Sequence, residues 1–223
     1  MSGILQGRTA IVTGAGGGLG AAHARVFASE GCAVVVNDIN TEAAQAVVDS
    51  ITAAGGRAIV NSSDITHYDD SLNAVKQAID SFGGLDIVLN NAGINRDRMF
   101  ASMTEAEWDA IMAVHLKGHF CISSHAVHYW RGQSKEGKPV DARIINTTSG
   151  AGLQGSIGQS NYAAAKAAVL SLTQSLALET AWLARYPGHP GSDDIALRVA
   201  RRHLVAGDAV AAASAAAAAG GDE

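Results

Sequence analysis

Arg8-Thr-Ala-Ile-Val-Thr-Gly-Ala-Gly-Gly-Gly-Leu-Gly20 opens the chain with a short β-branched run, then a cluster of glycines, then the helix-forming stretch 21–30. A strand that turns through glycines into a helix N-terminus presents backbone N–H groups and a positive dipole end, which suits a pyrophosphate. Gly14, Gly18 and Gly20 allow the tight turn and the close approach of backbone to phosphate. The next apolar run, Ala33-Val-Val-Val-Asn-Asp38, reads as a buried strand ending in an acid eighteen residues past Gly20. At that spacing a nucleotide-binding fold places the carboxylate that holds the adenosine ribose hydroxyls. Asp38 argues for NAD, because a ribose 2′-phosphate would meet a like charge there. Neither Ala15, Gly16 and Gly17 nor Ile39 and Asn40 supplies a compensating cation.

Outward from this start the pattern alternates. Strands are expected over 9–13, 33–37, 57–61, 86–89 and 143–146, and helices over 18–30, 41–54, 69–82, 105–131 and 160–184. The helix at 105 begins with a capping box, Thr104-x-x-Glu107. Such βαβ alternation predicts an α/β, Rossmann-type, doubly wound parallel sheet with helices on both faces and right-handed crossovers. Ligands bind at the carboxyl ends of such strands, where Gly14, Asp38, Asn91 and Ser149 all fall.

The second group of candidates lies on the last strand and helix. Ser149 ends the run Ile144-Ile-Asn-Thr-Thr-Ser149, and Tyr162 and Lys166 stand four apart in Asn161-Tyr-Ala-Ala-Ala-Lys166. Residues four apart share a helix face. A phenol works as a base at neutrality only when roughly 4 kcal/mol of deprotonation cost is offset. A cation about 4 Å away, at an effective dielectric of about 20, supplies that order of energy.

Thr13-Gly14-x-x-x-Gly18-x-Gly20, Asn90-Asn91-Ala92-Gly93, Ser149 and Tyr162-x-x-x-Lys166, in this order, resemble the short-chain dehydrogenase/reductase family from about Leu5 to about Thr180. Val34-Val-Val-Asn-Asp38, Gly93-Ile-Asn-Arg-Asp-Arg98 and Val114-His-Leu-Lys-Gly118 are similar to the (3R)-hydroxyacyl-CoA dehydrogenase part of peroxisomal multifunctional enzymes and related bacterial enzymes. The resemblance implies hydride transfer between NAD and a secondary alcohol or ketone, an acyl-CoA among the candidates. It makes Tyr162 the general acid/base, Lys166 the cation that stabilises the tyrosinate and binds the nicotinamide ribose, and Ser149 the hydrogen-bond partner of the substrate oxygen. Carried over residue by residue, Gly14, Gly18, Leu19, Gly20, Asp38, Asp64, Ile65, Asn91, Ala92, Gly93, Tyr162 and Lys166 line the cofactor. His115 stands where many members have asparagine, a residue tied to a proton-relay water behind the lysine. The hydroxyacyl-CoA group carries histidine there too, so His115 joins the catalytic set.

His115 and His119 are spaced four apart, with His125 and His128 beyond, but no Asp, Glu or Cys stands in a recognisable ligand arrangement with them, and no metal site is expected. The 223 residues, 48% hydrophobic, suffice for one sizeable core. A net charge of −5 gives no basic footprint for nucleic acid. Cys32 and Cys121 suit reduced buried positions. No apolar run is long enough for a bilayer and no apolar leader follows Met1, so the expected location is cytoplasmic. The stretch 133–141 reads as a polar loop. Arg96 and Arg98, near the expected mouth, read either as a steering pair for a CoA or carrier phosphate or as solvated loop residues.

After Thr180 the family's sixth strand, Pro-Gly turn, lid and seventh strand have no counterpart. The chain instead runs through Ala181-Trp-Leu-Ala-Arg-Tyr-Pro-Gly to an alanine-rich end at 209–219. We expect an NAD-binding domain over 1–181 and an atypical tail over 182–223, partly disordered or helical, which reads as a shifted reading frame or a divergent truncation. Relatives dimerise through the helices at 105–131 and 160–184, so the expected assembly is a homodimer. Two further readings stand beside the NAD-dependent dehydrogenase. One is an NADPH-dependent 3-oxoacyl-carrier-protein reductase, which Asp38 disfavours. The other is a nucleotide-binding remnant without activity, which the tail favours.

Overall fold

The computed structural model describes residues 3–185. The tail expected over 182–223 is described only to Arg185, where the last helix ends, and the expectations for the sixth and seventh strands, the lid and the rest of the tail lie outside the described residues. Strands β1 (Thr9–Thr13), β2 (Ala33–Asn37), β3 (Arg57–Asn61), β4 (Ile87–Asn90) and β5 (Arg143–Asn146) form a parallel sheet in the order β3-β2-β1-β4-β5. Between them run helices α1 (Gly18–Ser29), α2 (Thr41–Ala53), α3 (Tyr68–Phe82), α4 (Glu105–Met112), α5 (Gly118–Lys135), α6 (Ala151–Gln154) and α7 (Ser160–Arg185). This is the doubly wound architecture that the alternation predicts. Its order reverses at β1 and β4, which makes the carboxyl ends of those two strands the ligand crevice.

Because successive strand residues point to opposite faces, β1 feeds two cores. Ala10 and Val12 join Val34, Val36 and Leu89 beneath α1 and α2, while Ile11 joins Val35, Val88 and Ile144 beneath α3 and α5. All five residues of β1 and of β2 are buried, as an inner parallel strand covered on both faces requires. At the amino ends of the strands, Arg8 pairs with Asp86 and Asp141, and Asp141 also pairs with Arg143. These bonds fasten β1, β4 and β5 at the edge opposite the crevice.

Several boundaries differ from expectation by a residue, and three differences carry a physical cause or consequence. The single helix expected over 105–131 is two helices joined by a π-helical turn at Ala113–Lys117. With this turn His115 faces Gly93 and Gly118 backs directly onto Ile65, and a helical period cannot announce such an insertion. Helix α5 then runs on to Lys135, so the first residues of the expected polar loop are helical. Strand β4 includes Asn90, whose register with Asn146 continues the ladder one residue past the apolar run. The capping box at α4 forms as read: the Thr104 hydroxyl accepts from the Glu107 N–H at 3.2 Å and Glu107 Oε2 accepts from the Thr104 N–H at 2.9 Å.

Candidate active site

The glycine turn closes because its residues have no side chains in the way. Gly14 has φ +62°, a conformation costly for any other residue, and a methyl group on it would lie 2.6 Å from Ala92 Cα. Gly20, in the first turn of α1, lies against the Gly14 carbonyl and the Asn91 amide, leaving no room for a Cβ. Thr13 ties the turn to the end of β4, its hydroxyl accepting from the N–H groups of Asn91 and Ala92 at 3.0 and 3.1 Å. The Asn91 amide donates back to the Thr13 and Gly14 carbonyls at 3.1 and 3.2 Å. Gly18 and the exposed Leu19 stand at the start of α1, beside this turn.

Asp38 emerges where its spacing predicts. Its carboxylate accepts from the Gly16 N–H and the Asn40 N–H, both at 2.9 Å, which fixes it over the glycine turn. Asp64 lies past the end of β3. Burial would raise its pKa, but the N–H and hydroxyl of Thr66 and the neighbouring His67 outweigh that and hold it low. Ile65 beside it is buried against Gly118. Asp38, Asp64, Ile65, Asn91, Ala92 and Gly93 thus all sit at carboxyl ends of strands, with the glycine turn between them. The open backbone at Gly17 and Gly18, where an added side chain would meet nothing within 4 Å, and the anchored carboxylate of Asp38 fit a dinucleotide.

Lys166 is 2% exposed and its ammonium donates to the Thr147 carbonyl at 2.6 Å. That ammonium stands 5.7 Å from the centre of the half-buried Tyr162 ring. Burial alone pushes the lysine down to about 8. The Thr148 hydroxyl, just past β5, also donates to the Lys166 carbonyl at 2.9 Å, and Gly152 of α6 lies against the backbone of Lys166 and Ala167. Ser149 therefore follows directly on residues that hold Lys166, and its hydroxyl accepts from the Ala151 N–H at 3.2 Å.

His115 completes the group. Its ring meets Tyr162 edge to face, with centroids 5.1 Å apart and planes at 89°. Nε2 lies 3.0 Å from the Ile94 N–H, which donates to it, and 2.7 Å from the Ile94 carbonyl, to which it donates only in the tautomer that carries the proton on Nε2. Burial first, with the nearby charge of Lys166, pushes its pKa down to about 4, against the raising effect of the Ile94 contact. His115 is therefore neutral at pH 7.

Sequence reasoning missed several partners. The carbonyls of Thr147 and Ile94 are backbone groups that leave no signature. Asn161 ties the mouth loop to α4, donating to the carbonyls of Arg96 and Glu107; its place directly before Tyr162 was the available signal. Of the two arginines, Arg98 forks onto Glu107 at 2.8 and 3.1 Å, so its role is structural, while Arg96 stays exposed in the mouth loop.

Comparison with known proteins agrees with this geometry. The family described as short chain dehydrogenase matches residues 8–183. A hydroxyacyl-CoA dehydrogenase of Mycobacterium tuberculosis, ChsB1, is 48% identical over 180 residues, covering 78% of this chain and 56% of that protein. The peroxisomal multifunctional enzyme type 2 of Mus musculus is 41% identical over 183 residues, covering 78% of this chain and 24% of the larger protein. The crystal structure of a short chain dehydrogenase from Mycobacterium avium superposes with a TM-score of 0.79 at 55% identity, over 81% of this chain and 65% of that one. The chain thus spans about half the length of the first of these relatives and less of the second. With its crevice, glycine turn and Tyr162–Lys166 pair in place, the chain belongs to the short-chain dehydrogenase family.

Proposed function

We propose that the protein is an NAD-dependent oxidoreductase acting on a secondary alcohol or ketone of the 3-hydroxyacyl-CoA type. The observation that carries the reading is the convergence of Tyr162, the buried Lys166 and His115, with Gly93 against the His115 ring and Thr148, the residue before Ser149, bonded to Lys166. Bound NAD supplies the hydride acceptor. Gly14, Gly18, Leu19 and Gly20 would hold its pyrophosphate and Asp38 its adenosine ribose, and Asp64, Ile65, Asn91, Ala92, Gly93, Tyr162 and Lys166 would line the rest of its site.

Tyr162 takes the proton from the substrate hydroxyl through its own hydroxyl oxygen during oxidation and returns it during reduction. Lys166 stabilises the tyrosinate, because a buried cation beside a phenolate lowers its energy by Coulomb attraction. Ser149 hydrogen-bonds the substrate oxygen and orients it toward Tyr162. His115 braces the Tyr162 ring by its edge contact and the Gly93–Ile94 backbone by its hydrogen bond.

The acyl-CoA class is supported by the similarity to the hydroxyacyl-CoA dehydrogenase of Mycobacterium tuberculosis, and the exposed Arg96 in the loop after β4 suits a CoA phosphate. Initial rates with a panel of 3-hydroxyacyl-CoA thioesters and simple secondary alcohols, each with NAD and NADP, test the reading. Turnover with the thioesters and NAD supports it. Cofactor binding without turnover on any alcohol by a folded sample supports the inactive remnant instead.

A further inference from the structure

The segment that leads into α7 is laced to the loop after β4. The Arg98 N–H donates to the Gly158 carbonyl at 2.7 Å, and the Gln159 amide donates to both carboxylate oxygens of Asp97, at 3.0 and 3.1 Å. The Asn161 amide donates to the Arg96 carbonyl at 3.1 Å and to the Glu107 carbonyl of α4 at 3.3 Å. Residues 96, 97 and 98 thus pair with 161, 159 and 158, two segments running in opposite directions.

Asn161 differs from the rest of this lacing. Asp97 and Arg98 are exposed and Gly158 and Gln159 partly so, whereas Asn161 is 0% exposed. A side-chain amide offers two donors and one acceptor oxygen, and here each is used. The two N–H groups take the two carbonyls, which assigns the orientation of the amide, and Oδ1 accepts from the Tyr162 N–H at 2.8 Å. The first helical bond of α7 runs from the Ala163 N–H to the Gln159 carbonyl at 2.8 Å. The Tyr162 N–H comes one residue earlier, among the donors that a helix leaves without an internal partner. Asn161 supplies that partner.

The ring of Tyr162 is referred to the same loop. It meets the His115 ring at 5.1 Å between centroids, and His115 Nε2 is held at Ile94. A closed circuit results, from the Tyr162 ring to His115, to Ile94, along the backbone to Arg96, through the Asn161 amide and back to the Tyr162 N–H. Backbone and ring of one residue are thereby fixed against points two residues apart in the loop after β4.

We propose that Asn161 is a positioning residue for Tyr162, its amide closing the circuit that sets where the phenol stands relative to His115 and the loop after β4. The catalytic consequence rests on the functional reading above; the circuit does not. Without the amide, the Arg96 and Glu107 carbonyls and the Tyr162 N–H lose this partner, and the turn that carries Tyr162 is free to shift against the loop. A displacement of about 1 Å at a reacting group costs on the order of a hundredfold in rate.

The test is Asn161→Ala in the full chain. In the cofactor-free protein, cross-relaxation between the ring protons of Tyr162 and His115 reports their contact, and it is expected to weaken or vanish in the variant. With NAD and an alcohol that wild type oxidises, kcat is expected to fall about tenfold to a hundredfold while the dissociation constant of NAD stays within about threefold. In a Tyr162→Phe background the same substitution is expected to lower the residual kcat by less than about threefold, because the oxygen it positions is gone. An unchanged ring contact or an unchanged kcat in a folded variant overturns the proposal. So does an equal loss in both backgrounds, or a fall in NAD affinity as large as the fall in kcat, which a loosened fold produces. Should Asn161→Ala not fold, Asn161→Ser, which retains a hydroxyl in place of the amide, is read by the same criteria. Failure of wild type to oxidise any alcohol overturns the functional reading, and the ring contact then decides the positioning role alone.

Discussion

The Lys166 ammonium points into the protein, bonded to the Thr147 carbonyl at 2.6 Å, while lying 5.7 Å from the centre of the Tyr162 ring. The chain thus keeps a cation in a place where burial opposes it, and the consequence is visible in stability. Burial lowers the lysine from its ordinary 10.5 to about 8. Below pH 8 both folded and unfolded chains carry the charge, and the folded state bears the full desolvation cost. Between pH 8 and 10.5 the unfolded chain holds more protons, so stability rises with pH. Measured against Lys166→Met by urea unfolding, wild type is expected to gain roughly 3 kcal/mol across that window. A flat difference would show that the ammonium is not buried.

Gly20→Ala tests the glycine turn. Its methyl group has to displace the Gly14 carbonyl or the Asn91 amide, so NAD binding, followed by quenching of protein fluorescence, is expected to weaken at least about tenfold, with a loss of 1–3 kcal/mol of stability. Wild-type affinity in this variant would place the cofactor elsewhere.

Asp38→Ser tests cofactor choice. Wild type is expected to favour NAD over NADP in kcat/KM, and removal of the carboxylate is expected to shrink that preference by about tenfold or more, the order of one charge–charge repulsion. Equal use of both cofactors by wild type would contradict the role given to Asp38.

Arg98 and Glu107 test the mouth loop. The Arg98 guanidinium, followed by the Thr104 N–H, holds the Glu107 carboxyl down to about 2. A depressed carboxylate stabilises the fold above its ordinary value of 4.5 and loses that contribution as pH falls toward 2. The melting temperature of Arg98→Ala is expected to lie below that of wild type at pH 6, and the gap is expected to close as pH falls through that range. A gap independent of pH would assign the loss to packing.

Much of this arrangement was legible in residue order. The β-branched runs at 9–13 and 33–37 alternate faces and are buried on both, so their strands and even their ends could be read. Gly14 and Gly20 sit where only a hydrogen side chain fits, and Asp38 where a strand ends. What could not be read depends on tertiary approach. The π turn at Ala113–Lys117 follows from Gly118 closing on Ile65 and His115 on Gly93, residues distant in the chain. The bonds to the Thr147 and Ile94 carbonyls use backbone atoms that every residue possesses. The hydrogen-bonded row Ser123–Asn90–Asn146–Thr173 joins polar residues of separate helices and strands that residue order does not connect.

The most direct test is a comparison of wild type and Tyr162→Phe, both saturated with NAD, in the oxidation of a 3-hydroxyacyl-CoA followed by the absorbance of reduced nicotinamide. Removing one oxygen leaves the ring contact with His115 and is expected to leave NAD binding intact while lowering kcat by about a thousandfold or more, the upper range for general acid/base catalysis. Turnover by Tyr162→Phe within about tenfold of an active wild type would contradict the assignment of Tyr162 as the proton-transferring group.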